Sequence, residues 1–127
     1  MVTFDVRLKI DVRNIAKNGR RVFEPVDLDE EKGYDPSTGI FTSPAEGMHV
    51  FDWTTLTQQG KYAITSIVVN GIIKSWNYCS DLASKTCNAC NEMTAVKLKQ
   101  GNKAWIGVSK GPADMRAQYT SLSGYRL

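Results

Sequence analysis

From Phe4 to Val12 the chain alternates without a break. Phe4, Val6, Leu8, Ile10 and Val12 are apolar, and Thr3, Asp5, Arg7, Lys9, Asp11 and Arg13 are polar. A period of two sends successive side chains to opposite faces, so the spacing predicts a strand with one face buried. A helix would spread the same residues around its circumference. Residues 14–39 read as loops, broken by Asn18-Gly19, an acidic run and Gly33-Tyr34-Asp35-Pro36-Ser37-Thr38-Gly39, with Val22-Phe23 as a short strand among them. Ile40-Phe41-Thr42 starts a strand that stops at Pro44, which has no N–H for a ladder. After Gly47, the run 48–56 carries bulk on both faces: His49, Phe51 and Trp53 on one, Met48, Val50 and Leu56 on the other.

The next signal is a hairpin. Asn70-Gly71 stands between two β-branched runs, 62–69 and 72–76, and supplies the positive φ angles of a type I′ turn. A second hairpin is predicted where Gln100-Gly101-Asn102 separates 93–99 from 104–108, and a turn at Lys110-Gly111-Pro112 leads to a last strand over 119–127. Eight to ten short strands, with turn signals between them and no helical pattern, indicate an all-β antiparallel sandwich or jelly roll. The 127 residues fit a single domain, 1–127, without repeats or linkers. Because run 48–56 has apolar groups on both faces and one small sandwich has one interior, a symmetric oligomer is the economical way to bury both. The alternative is a loop covering one face.

Composition narrows the class. A hydrophobic fraction of 42% with 23% charged residues is that of a globular chain. The longest apolar stretches, Ile67-Val68-Val69 and Gly71-Ile72-Ile73, are too short to span a bilayer. Met1 to Phe4 runs straight into charged alternation with no signal-peptide pattern, so the chain reads as a mature form or as a cytosolic protein. The net charge of +3 is divided unevenly: +3 over residues 1–26, −6 over 27–52 and +6 over 53–127. The acidic block centres on Asp27, Asp29, Glu30 and Glu31. Basic residues of the last part are spaced singly, which argues against nucleic acid as a partner.

The motifs themselves resemble a known family. The stretch Gly33-Tyr34-Asp35-Pro36-Ser37-Thr38-Gly39-Ile40-Phe41-Thr42-Ser43-Pro44-Ala45-Glu46-Gly47, followed by Val50-Phe51-Asp52-Trp53, is similar to the signature of the complement C1q globular-head domain. Val69-Asn70-Gly71, Val96-Lys97-Leu98-Lys99-Gln100-Gly101, Ala104-Trp105-Ile106 and Ser121-Leu122-Ser123-Gly124-Tyr125-Arg126-Leu127 continue it in the family's order. The resemblance covers essentially the whole chain and is greatest to the short, collagen-free members found in bivalve molluscs. It implies a jelly-roll β-sandwich of about ten antiparallel strands, tumour necrosis factor-like, packed as a homotrimer. It also implies a secreted pattern-recognition or lectin-like role in innate immunity. The ligands it implies are microbial polysaccharides, lipopolysaccharide, sialylated or mannosylated glycans, and proteins. Three positions depart from the family: His49 in place of the usual Tyr, Asn102 where Asp is common, and Leu122 in place of Phe. Asn102 removes a carboxylate and the acidic run 27–31 lies in a variable region, so a calcium site is not carried over and no cofactor is assigned. No Gly-x-y repeat stands before the domain in this sequence, so assembly through a collagen stalk is not expected.

Three cysteines cluster at Cys79, Cys87 and Cys90. Cys87-Asn88-Ala89-Cys90 is a Cys-x-x-Cys, but structural zinc needs a fourth ligand, and His49 is the lone histidine. Redox catalysis by such a pair belongs at a helix N-terminus in an α/β fold. A loop-stapling disulfide is favoured, Cys79 with Cys90 ahead of Cys79 with Cys87, with one cysteine left over; three free thiols are the alternative. His49 has no nucleophile motif beside it and reads as a packed strand residue, so no enzyme is predicted. Asp29-Glu30-Glu31 lacks the spaced ligands of a calcium loop and reads as a solvated loop. No Asn-x-Ser/Thr sequon is present.

Candidate ligand contacts are the polar and aromatic groups expected on loops. These are Trp76, Asn77 and Tyr78 before the cysteine loop, Asn88 and Asn91 at its far side, and Lys110, Asp114 and Arg116 before the last strand. Sugar recognition takes an apolar platform beside planar donors and acceptors, and an anionic glycan adds a cation such as Arg116. The alternative reading packs Trp76 in the core and leaves the charges solvated. A cytokine-like ligand for a protein receptor, bound at grooves between subunits, is the second functional class.

Overall fold

The computed structural model describes residues 4–7, 12–15, 20, 22, 26–29, 33–56, 62–80, 89–110, 113–115 and 121–127. Among them there is no helix, and the strands are β1 (Phe4–Arg7), β2 (Val12–Ile15), β3 (Val26–Asp29), β4 (Tyr34–Asp35), β5 (Ile40–Thr42), β6 (Gly47–Leu56), β7 (Tyr62–Val69), β8 (Ile72–Ser80), β9 (Ala89–Leu98), β10 (Lys103–Lys110), β11 (Ala113–Met115) and β12 (Ser121–Arg126). Two five-stranded antiparallel sheets form a jelly roll. The first runs β3-β1-β12-β6-β9 and the second β4-β5-β10-β7-β8, while β2 and β11 pair as a separate ribbon.

The N-terminal alternation does not stay in one strand. β1 lies in the first sheet between β3 and β12, whereas Val12 begins β2 in the ribbon. Period-two spacing states which face a residue takes and not which neighbour its backbone bonds, so one pattern can serve two strands. Val22 stands outside the strands, and Phe23, the Gly111-Pro112 turn and residues 119–120 lie outside the described residues.

The face of β6 that carries His49, Phe51 and Trp53 is buried, with Thr55 continuing it. Trp53 Nε1–H donates to Thr65 Oγ1 of β7 at 3.0 Å, so the indole crosses the core with its polar atom satisfied. His49 is a packed histidine, as its apolar neighbours imply. Its ring lies 5.9 Å from Phe41 and 6.4 Å from Phe51, and Nδ1 is 3.0 Å from the Gly47 carbonyl.

Aromatic packing joins the sheets. Phe4 of the first sheet stacks on Phe41 at 4.8 Å and on Tyr34 at 5.8 Å, both from the second. Phe51 meets Phe41 edge-on at 5.6 Å. Between β1 and β6, in register with both Phe4 and Phe51, is Gly124 of β12. A Cβ there would stand 2.5 Å from Phe4 Cε1 and 3.3 Å from Phe51 Cδ1, so the position must be bare.

Both expected hairpins are present. Asn70 and Gly71 take φ of +50° and +84°, the left-handed pair of a type I′ turn. The Asn70 N–H donates to the Lys103 carbonyl (2.8 Å) and Asn70 Oδ1 accepts the Lys103 N–H (2.9 Å). The second tip docks on the 43–46 loop: the Gly101 N–H donates to Ser43 O and the Ser43 N–H to Asn102 O, each at 2.8 Å. Near β4, Asp35 Oδ1 accepts the Ser37 hydroxyl (2.7 Å) and then its N–H (2.9 Å), which hold the carboxyl below the usual carboxylate range.

Cys79 and Cys90 form a disulfide, the pairing favoured by the sequence, with Cα atoms 5.5 Å apart across a separation of 11 residues. It joins β8 and β9, which are edge strands of different sheets, and therefore closes one flank of the sandwich. A loop of that length contributes about 2–3 kcal/mol by restricting the unfolded chain.

Gly124→Ala tests the core. The added methyl has to push Phe4 off Phe41, and overpacking of this kind costs about 1–3 kcal/mol. Thermal unfolding should show a clearly lowered Tm; a Tm equal to that of the parent protein would contradict the packing described.

Candidate functional site

Strand β8 changes step once, and the change decides which of its side chains meet solvent. Val69 and Val68 of β7 face Ile72 and Ile73, but Ile67 faces Ser75, so Lys74 is an extra residue in a bulge. Beyond it Trp76 lies opposite Ser66, Asn77 opposite Thr65, Tyr78 opposite Ile64 and Cys79 opposite Ala63. Thr65 is a core position bonded to Trp53, so Asn77 and Cys79 turn inward and Trp76 and Tyr78 outward.

Trp76 and Tyr78 are 57% and 59% exposed. The reading that packs Trp76 in the core is thereby set aside. Asn77, grouped with them as a ligand contact from the sequence, is corrected: it is 5% exposed, and its Nδ2 donates to the Cys90 carbonyl at 3.0 Å. Its amide bonds β8 to β9 beside the disulfide and does not share the exposed face. The physical reason is parity, since a residue between two outward rings on a strand faces the other way.

The outer face of the second sheet holds a groove next to these rings. Ala104, Ile106 and Val108 of β10 are in the core, so Trp105 and Gly107 point the other way. Trp105 is in register with Val68, and Gly107 with Ser66, which is itself opposite Trp76. Glycine and serine leave the floor low, and Trp105, Val68 and Ile73 wall a depression of about 220 Å³. Arg20 pairs with Gly107 as an isolated bridge, lays its guanidinium 5.2 Å from the Trp105 ring centre and donates from Nη1 to the Thr38 carbonyl at 3.2 Å. The result is an indole with a fixed cation over its ring, beside a depression with aliphatic walls and a buried serine below. Such an arrangement can stack the apolar face of a sugar ring and meet a polar or anionic substituent.

The remaining candidates divide. Lys110 is in register with Ile64, which places its backbone one strand away from that of Tyr78. Asp114 is the middle residue of β11. The side chains of both, and the residues Asn88 and Arg116, lie outside what the structure describes. Asn91 is on the outer face of the first sheet, where its amide donates to the Asp52 carboxylate, to Thr54 Oγ1 (2.9 Å) and to the Trp53 carbonyl (3.3 Å). Among the described residues no group of three or more His, Cys, Asp or Glu is placed to hold a metal ion. Cys79 and Cys90, bonded to each other, are not available as metal ligands. Sequence reasoning overlooked Arg20, Val68, Ile73 and Trp105 as site residues. The apolar trio Ala104, Ile106 and Val108 was the signal that pointed Trp105 outward.

A family model described as the C1q domain matches residues 3–127. Among solved structures, the globular domain of the zebrafish complement 1qA protein superimposes with a TM-score of 0.78 at 17% identity, over 98% of this chain and 95% of that one. The Eiger TNF of S. frugiperda gives 0.77 at 12% identity, covering 98% and 93%. Murine APRIL at pH 8.0 gives 0.77 at 12% identity, covering 99% and 98%. Identities this low show the shared fold alone. No curated protein sequence matches the chain.

Asn77→Ala should lower stability by about 1–3 kcal/mol, since it leaves the Cys90 carbonyl without its donor. Trp76→Ala and Tyr78→Ala, at exposed positions, should change it by about 0.5 kcal/mol or less. Denaturant unfolding of the three variants separates them; the reverse ranking would put the rings in the core and Asn77 at the surface.

Proposed function

The chain belongs to the C1q domain family, and from that premise we propose that it is a secreted recognition module of innate immunity that binds microbial or host glycans as a homotrimer. The observation that carries the reading is the Trp105 groove with the Arg20 guanidinium over its indole. Its aromatic platform suits a pyranose ring, and its cation suits the phosphate of a lipopolysaccharide or the carboxylate of a sialylated sugar. A shallow groove of this size binds one or two sugar units weakly, and an assembly presenting several grooves gains affinity through effective concentration.

The other sheet supports self-association. On its outer face Met48 (40% exposed) and Met93 (58% exposed) stand on either side of Val50, which is already buried between Tyr125 and Ala95 in register. Burying that patch against identical copies removes apolar surface from water and leaves the second sheet, with its groove, facing solvent. Among the described residues no helix is long and apolar enough to cross a membrane. The module performs no catalytic step in this reading and needs no cofactor.

A cytokine-like ligand for a protein receptor is the second reading. Exposed Ile73, Trp76 and Tyr78 along β8 favour it, because they form an apolar strip longer than a single sugar covers.

A glycan array combined with light scattering tests both. The expected mass is that of a trimer, with glycan binding that free sugar competes away. Trp105→Ala and Arg20→Ala should each weaken binding about tenfold or more, a loss of about 1.4 kcal/mol, with the mass unchanged. Undiminished binding by both variants would remove the site assignment, and a saturable partner insensitive to sugar would turn the assignment to the receptor ligand.

A further inference from the structure

The flank between β8 and β9 is closed at one end by the disulfide and the Asn77 amide. At its other end the same two strands part around a cleft of about 240 Å³, with Ile72 and Val96 in its walls and Lys74, Lys97, Asn70 and Asn102 around them. The two asparagines settle its chemistry. Asn70 Oδ1 accepts the Lys103 N–H at 2.9 Å, and Asn102 Oδ1 accepts the Lys99 N–H at 2.8 Å. With each carbonyl oxygen oriented by a backbone N–H, either amide keeps its NH₂ group as a donor.

Lys74 and Lys97 add ammonium groups, which donate and never accept. Neither is within ion-pair distance of a carboxylate among the described residues. Lys99 and Lys103 stand at the same hairpin ends, the Lys103 ammonium 3.4 Å from Thr42 Oγ1. Against these four cations stands Glu46, ahead of Gly47, which is in register with Leu98. The four polar side chains lining the cleft therefore present two positive charges and more donors than acceptors.

We propose that this cleft binds an acidic sugar: a pyranose whose sulfate or carboxylate group is held by Lys74, Lys97 and the two asparagine amides while its ring rests on Ile72 and Val96. Oxygen-only anions accept from all four donors, charge-assisted bonds of this kind being the strong ones. A neutral sugar brings no charge to meet the two ammonium groups, so acidic polysaccharides are selected over neutral ones. The site is separate from the Trp105 groove, which lies on the outer face of the second sheet, and does not rest on that reading.

Titration calorimetry with a sulfated oligosaccharide, an oligouronate and a neutral oligosaccharide of equal length tests this. At least one acidic oligomer should bind and the neutral one should not; the stronger of the two identifies sulfate or carboxylate as the group held. The double variant Lys74→Gln/Lys97→Gln should weaken binding about tenfold or more. Asn70→Asp/Asn102→Asp should do the same with the Tm retained, because aspartate keeps the acceptor each turn uses and exchanges the donor for a negative oxygen. Absence of binding by both acidic oligomers, or an acidic-sugar affinity in the lysine or the asparagine variant equal to that of the parent protein, would overturn the proposal. So would a lysine variant that changes the assembly mass while its acidic-sugar affinity stays the same, which would give the cleft to a second copy of the chain.

Discussion

The space between two β-sheets has to be filled without a gap, and in this fold the filling depends on a missing side chain. β12 runs between β1 and β6, and a Cβ at Gly124 would occupy the place where Phe4 and Phe51 come together. Its absence lets Phe4 reach across to stack on Phe41 and Tyr34, so strands β4 and β5 are held on the first sheet by ring contacts and not by backbone bonds. Ser43, just after β5, then receives the tip of the β9–β10 hairpin. The glycine thus acts at a distance: core packing places a loop, and the loop places a turn whose asparagine lines a surface cleft.

The flanks of a sandwich are its weak places, since unpaired strand edges invite pairing with other chains. β8 answers in two ways. Lys74 sits in a bulge, and a charged, kinked edge is a poor template for another strand. Nearer the other end, Cys79 and Asn77 bond it to β9, one covalently and one through a hydrogen bond, so the two sheets cannot slide there. Fastening one end of the flank leaves the hairpin end free to part, and a cleft forms where side chains are long and charged.

Much of this was legible before any coordinates. The hairpin at Asn70-Gly71 was readable because few sequences satisfy two positive φ angles, and the bulk on both faces of β6 followed directly from spacing. The Cys79–Cys90 pairing was readable because those two cysteines stand at the ends of the loop. What stayed hidden has three causes. Asn77 was grouped with the rings on either side of it because residues 76–78 read as the entry to a loop, whereas β8 continues through them to Ser80 and gives them alternate faces. Similarly, alternation over residues 4–12 does not reveal that β1 and β2 bond to different partners. Arg20 was out of reach for a third reason: its contact with Trp105 joins residues far apart in sequence, across strands whose order only the fold supplies.

The bulge also explains how one hairpin serves two surfaces. Had β8 continued in regular register, Lys74 would face Ile67, and Trp76 would fall opposite Thr65 in the core, with Cys79 turned out and away from Cys90. One added residue restores the small polar and sulfur side chains to the interior and keeps the indole and phenol outside. It divides the neighbouring residues as well: Val68, Gly71 and Ile73 border the groove, while Val69, Asn70, Ile72 and Lys74 border the cleft. Each outward residue is thereby backed by an inward one with a different task, and the outward set can be exchanged at little cost to the core. Recognition chemistry can vary on this hairpin as far as the parity of β8 is preserved, because that parity is what keeps the disulfide closed and the tryptophan in contact with solvent.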